Sequence, residues 1–281
     1  MRYSINVPNF GELSDPRTVA ELARAAEEAG WDGLFVWDHV NHGGFGGRPF
    51  GDPWILLAAA GMVTTRIALG PLITPVARRR PAKLAREITT LDTLTAHRLI
   101  FGVGLGAPAD DEYGRFGEPT DPRVLGRRLD AGLEALSLLL SGKPVSYRAE
   151  HITIDDVQLL PARQVPVWVA GRWPNKPPMR RAARWDGVVP LFPDYRVQAP
   201  PTPEEVRELV AFLTKCRADY GRSADPFEVV AGGRTGPDGR AVVEALAEAG
   251  ATWWDERVPF DDTLDKADTY RRRIEQGPPR I

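Results

Sequence analysis

The chain is predicted to fold as an α/β protein, a (β/α)8 TIM barrel. Three observations point there: eight short apolar, β-compatible runs recur, a segment of helical period follows each, and no antiparallel block of comparable size interrupts them. A length of 281 residues suits a fold that commonly takes roughly 250, so one domain over 1–281 is expected, with a small β-hairpin insertion.

Tyr3 to Val7 alternates as a first strand, and Asp15-Pro16 opens a helix with an N-cap acceptor followed by proline at the first helical position. Gly33 to Trp37 is the second strand and delivers Asp38 and His39 at its C-terminal end. A glycine-rich loop, His42 to Gly47, precedes a helix starting at Pro53 and reads as a functional rim rather than an idle connection. Ile67 to Ile73 is apolar enough for a buried strand; Ala82 to Thr95 then sets Leu84, Ile88, Leu91 and Leu94 near helical period, and Leu99 to Val103 is apolar again. Two buried strands joined by one helix make a right-handed parallel unit.

Gly106 to Pro122 reads as a long polar loop containing Asp110, Asp111 and Glu112, and Arg123 to Leu140 as the fourth helix. Val145 to Tyr147 and His151 to Ile154 alternate like a hairpin outside the main repeat. Strands five to eight are expected at Val165 to Ala170, Gly187 to Pro190, Phe227 to Ala231 and Ala251 to Asp255. The helices between and after them are expected at Pro178 to Arg184, Pro203 to Tyr220, Gly239 to Ala249 and Asp265 to Glu275; proline-rich Phe192 to Pro203 is an extended loop.

A net charge of -2, with both signs scattered, implies neither a nucleic-acid-binding surface nor a polybasic membrane patch. The single Cys216 excludes an intramolecular disulfide framework. With no signal peptide visible and no apolar run of membrane length, a cytoplasmic location is expected.

Barrel chemistry sits where strands end at the C-terminal face, which brings forward Asp38, His39, Thr74, Gly104, Gly106, Gly171, Arg172, Phe192, Gly232, Gly233, Arg234, Trp254 and Glu256. A histidine leaving a strand beside a glycine-rich loop can donate or accept a proton near neutral pH, with Asp38 to orient it; alternatively, Asp38 caps the turn and His39 only bonds backbone. His39 and His42 are three residues apart but lack a third ligand of matching pattern, so no metal site is expected. Three strand exits could grip an anion: Gly102 to Gly106, Ala170-Gly171-Arg172, and Gly232-Gly233-Arg234-Thr235. Of Trp253 and Trp254, at least one should face the interior.

Gly-Pro-Leu-Ile-Thr-Pro at 70–75, Arg80-Pro81, Leu84-Ala85-Arg86, Thr90-Leu91-Asp92 and Arg98-Leu99 lead in order into Gly102-Val103-Gly104-Leu105-Gly106. Asp38-His39 lies upstream, and Pro166 to Gly171 and Trp185-Asp186-Gly187 lie downstream. This series resembles the bacterial-luciferase-like flavin oxidoreductases over nearly the whole chain. One departure is Thr95-Ala96-His97-Arg98, where the family usually has Ser-Gly-Gly-Arg, so this turn must manage without glycine.

The resemblance implies a noncovalent reduced flavin at the strand C-termini, FMN or alternatively coenzyme F(420), with His39 near its reactive edge. It implies the ribityl phosphate at Gly104, Gly106, Ala170, Gly171 and Arg172, the seventh strand exit staying open as an alternative. It places Pro71 and Leu72 behind the ring, with a cis peptide expected at Pro71-Leu72; Thr74, from the strand-exit residues, and Trp254, whose planar ring can stack on a flavin, are further cofactor-binding candidates. With FMN, oxygenation of a small organic substrate is implied, with a separate flavin reductase; with F(420), hydride transfer to or from a carbonyl or alkene. A homodimer is also implied. Deazaflavin sugar-phosphate dehydrogenases of the family carry a glutamate and a tryptophan where this chain has Ala107 and Gly43, so their substrate is not expected. A flavin-binding protein without turnover and an unrelated barrel hydrolase using Asp38, His39 and a metal are the rival readings.

Overall fold

The apolar runs form β1 (Arg2–Val7), β2 (Gly33–Val36), β3 (Ala68–Pro71), β4 (Thr74–Pro75) and β5 (Phe101–Gly104). Next come the hairpin β6 (Val145–Ala149) and β7 (Ile152–Val157), then β8 (Val167–Arg172), β9 (Gly187–Leu191), β10 (Glu228–Gly233) and β11 (Trp253–Glu256). In the computed structural model, which describes residues 1–194, 198–236, 238–258 and 260–281, nine strands pair in the order β3-β2-β1-β11-β10-β9-β8-β5-β4. β3 and β4 are two halves of one stave, and a parallel bridge from Leu69 to Leu99 links β3 to the residues entering β5. The result is a ring of eight parallel staves, a TIM barrel, with β6 and β7 forming a separate antiparallel pair.

The helices are α1 (Pro16–Glu28), α2 (Pro53–Val63), α3 (Pro81–Leu94), α4 (Ala109–Glu112), α5 (Pro122–Leu140), α6 (Lys176–Ala182), α7 (Pro203–Asp219), α8 (Arg240–Glu248) and α9 (Ala267–Glu275). Several start on the same device. Asp15, Asp52 and Asp121 each accept a backbone N–H of the first turn while proline fills the first helical position. Thr202 and Glu205 form a reciprocal capping box at α7.

Inside the ring Phe35, Leu72, Ile100, Trp168, Val189, Val230 and Trp253 make a buried plug, with the Trp168 and Trp253 ring centroids 5.2 Å apart. A larger apolar shell lies between staves and helices. The staves approach closely: a Cβ at Gly70 would stand 1.8 Å from the Ile100 carbonyl oxygen. Because that neighbour is backbone, Gly70→Ala is expected to destabilise the protein by about 3 kcal/mol, the upper end of overpacking costs. An unchanged urea midpoint would contradict this.

Two expectations need adjustment. The cis peptide lies at Leu72-Ile73, not Pro71-Leu72. Pro71 is still in register with Val36, and the Leu72 N–H donates to the Val36 carbonyl at 2.8 Å, so the chain leaves the ladder one residue later than expected. The polar stretch after β5 is not all loop, since α4 and a 3-10 turn at Gly114–Phe116 fold within it. Part of the expected loop from Phe192 to Pro203, residues 195–197, lies outside the described residues. The turn without glycine puts Ala96 and His97 at φ 50° and 65°, with the His97 side chain bonded to Asp92 at 2.7 Å.

Candidate active site

The end of β2 carries Asp38 and His39 onto the C-terminal face, where Asn9 clamps the His39 backbone through its N–H (3.2 Å) and carbonyl (2.8 Å). Asp38 is buried and accepts from the Thr74 hydroxyl at 2.7 Å, Arg78 Nη2 at 2.6 Å and Arg79 Nη2 at 2.8 Å. Burial alone would raise its pKa, but the Arg79 and Arg78 guanidiniums outweigh that and hold the carboxyl below its ordinary range.

Arg78 also reaches Glu112 on α4, its Nε donating at 2.9 Å, and the other Glu112 oxygen lies 2.7 Å from His39 Nδ1. An ionised carboxylate only accepts, which assigns the proton to Nδ1 and leaves Nε2 as the basic atom of a ring that is 17% exposed. His39 is therefore oriented by Glu112, while Asp38, the partner considered from sequence, anchors the arginines instead. Trp37 meets His39 edge-on at 5.7 Å, and His42 meets it at 5.1 Å. Burial, then the neighbouring His39, lowers the His42 pKa. A cavity of about 230 Å³ opens beside the pair, lined by Val40, Phe50 and Pro53 together with Asp38, His39, Arg78 and Arg79.

Across the β4, β5 and β8 ends the wall is apolar and low. Ile73 and Ala170 are half-buried and pack on the interior plug, and a Cβ at Gly104 would sit 2.8 Å from Ile73 and 3.6 Å from Ala170. This shelf fits one face of a planar ring, and the described residues show no group of three or more His, Cys, Asp or Glu able to hold a metal.

The family model described as luciferase-like monooxygenase matches residues 1–277. The chain belongs to the luciferase-like monooxygenase family. It is similar to the F(420)-dependent glucose-6-phosphate dehydrogenase of Nakamurella multipartita, 30% identical over 178 residues, 61% of this chain and 50% of that protein. Among solved structures it is similar to the coenzyme F(420)-dependent tetrahydromethanopterin reductase of Methanopyrus kandleri (TM-score 0.74, 18% identity, 98% and 96% of the two chains). A second is the oxygenating constituent of 3,6-diketocamphane monooxygenase from Pseudomonas putida, solved with FMN (TM-score 0.69, 16% identity, 93% and 91%).

The remaining candidates of this luciferase-like chain fall into place unequally. Leu72 caps the interior plug, Pro71 ends β3, and the Thr74 hydroxyl is spent on Asp38. Gly106 has φ 81°, and a Cβ there would press on Pro75 at 2.9 Å. Gly171 faces α6, where a Cβ would meet Pro178 at 2.3 Å, so helix packing accounts for it. Arg172 ends β8 and is exposed. Trp254 is a correction: it points outward into the helix-facing shell, fully buried, its Nε1 donating to Glu256 at 2.8 Å, and Trp253 takes the inward position. The seventh strand exit is occupied from within, because Glu256 accepts from Thr235 N–H (2.9 Å), Thr235 hydroxyl (2.8 Å) and Gly236 N–H (3.3 Å).

Sequence reasoning missed Arg78, Arg79 and Glu112. The available signals were three successive arginines, 78–80, following the third stave and the acidic run 110–112 following the fourth. Stave alternation sends both to the same face, but nothing in the sequence shows that they meet.

Proposed function

We propose that this protein is an oxidoreductase that binds coenzyme F(420) noncovalently at the barrel mouth and interconverts a small organic alcohol and its carbonyl compound. The carrying observation is the His39–Glu112 pair beside the apolar shelf of Ile73, Gly104 and Ala170. The named F(420)-dependent relative and structural neighbour support the deazaflavin.

Bound deazaflavin would supply the hydride chemistry. His39 Nε2 takes the proton from the substrate hydroxyl, or returns it to the carbonyl oxygen in the reverse direction. Glu112 stabilises the resulting imidazolium, and Arg78 fixes that carboxylate in direction. Ile73, Gly104 and Ala170 would receive one face of the ring and keep water from it. Glucose 6-phosphate is not carried over: position 43 is glycine, where a Cβ would meet Asp111 Oδ1 at 3.1 Å, and position 107 is alanine.

The FMN-containing neighbour favours a second reading, an FMN-dependent monooxygenase supplied by a separate flavin reductase. Titrating the protein with each cofactor and following absorbance separates them. F(420) is expected to saturate at the lower concentration; tighter FMN binding selects the monooxygenase, and no saturation with either overturns both.

A further inference from the structure

The wall facing the apolar shelf is polar. Counting around the ring, β1 stands opposite β8, β11 opposite β5, and β10 opposite the β3/β4 stave. Asn6, Asp255 and Gly232 therefore face Ala170, Gly104 and Ile73. Their inward direction follows from Trp253, two residues before Asp255 on the same strand and part of the interior plug.

Asp255 is fully buried and accepts from the Ser4 hydroxyl at 3.0 Å; its second oxygen accepts from Asn6 Nδ2 at 3.2 Å and Arg257 Nε at 3.3 Å. Asn6 and Arg257 thus meet on one oxygen. Asn6 is only 6% exposed, and its Oδ1 is buried without a hydrogen-bond partner. The Arg257 guanidinium lies flat over Gly232, where a Cβ would come within 2.5 Å of Nη2. Glycine at 232 leaves the guanidinium its place.

We infer that Asn6, Asp255 and Arg257 form the substrate-recognition wall, taking an organic substrate whose neutral head group both donates and accepts hydrogen bonds, as a primary carboxamide does. Arg257 Nη offers the donor, and the orphaned Asn6 Oδ1 requires one in return. The guanidinium is already paired with Asp255 at 3.3 Å; burial raises the Asp255 pKa, a second carboxylate beside it would raise it further, and a hydrocarbon would leave Asn6 unpaired. The inference rests on the cofactor reading in one respect: with the ring against the apolar shelf, the substrate lies on this side, where β1 adjoins the stave that carries His39.

Binding of benzamide, benzoate and toluene, measured by saturation-transfer NMR on the full chain, tests it. Benzamide is expected to bind about tenfold tighter than either of the others, the worth of one well-made polar contact. Asn6→Leu and Arg257→Met should each remove that preference. Gly232→Ala should do so too, because it only displaces the guanidinium and keeps the fold, checked by an unchanged thermal melt. Benzoate preferred, benzamide bound no better than toluene, no binding of any probe, or a preference surviving in Asn6→Leu and Gly232→Ala would overturn the inference. Cofactor titration of the same variants keeps the two readings apart: failure of F(420) and FMN to bind while benzamide selectivity persists would sink the cofactor alone.

Discussion

His39→Ala is expected to lower turnover by about 10²–10⁴-fold on any substrate the wild type converts, the usual worth of a positioned general base or acid. Affinity for the cofactor should stay near the wild-type value, because the imidazole is held by Glu112, and its backbone by Asn9, rather than by the apolar shelf. Glu112→Gln should give a smaller loss, since an amide still accepts a hydrogen bond from Nδ1 but no longer offers a full charge to the imidazolium. Added imidazole should restore part of the activity of His39→Ala and none of the loss in Glu112→Gln. Full activity in His39→Ala would remove the proton assignment.

Asp38→Ala should cost about 3–5 kcal/mol of stability, because it removes the buried carboxylate shared by two arginine head groups whose side chains are 12% and 14% exposed, and leaves Arg78 only the Glu112 carboxylate. The effect is electrostatic more than volumetric: Asp38→Asn keeps the shape, and its loss should still be a large share of that of Asp38→Ala. The folded Asp38 pKa lies below its unfolded value, so its contribution is fully present above about pH 4, the ordinary aspartate range, and is lost as pH falls through the folded value. The stability gap between wild type and Asp38→Asn, measured by urea unfolding, should therefore be constant near neutrality and shrink in acid. A gap that widened on acidification would contradict the assignment.

Sequence pattern carried the barrel because alternation of apolar strand and amphipathic helix is local information, and the Asp-Pro and Thr-Pro helix starts are local too. It carried the exit of Asp38 and His39 for the same reason. The His39–Glu112 contact was out of reach because it spans 73 residues, and α4, which delivers the glutamate, is a single turn inside what reads as polar loop. The tryptophan pair shows a different limit. Period two says that Trp253 and Trp254 face opposite ways, but the phase is set by what packs on each side, Phe35 and Trp168 of other strands inside and Glu256 of the same strand outside. Composition likewise could not distinguish a glycine-rich strand exit awaiting an anion from one filled by the chain's own Glu256. The cis peptide moved by one residue because the last rung between β2 and β3 holds Leu72 in the ladder.

The most direct test of the central claim is a crystal structure of the protein with F(420). The account predicts the deazaflavin ring lying against Ile73, Gly104 and Ala170, with His39 Nε2 at hydrogen-bonding distance from a ligand or water on the ring's open face. A ring bound elsewhere, or a mouth filled by side chains with His39 turned from it, would contradict the account and leave only the barrel standing.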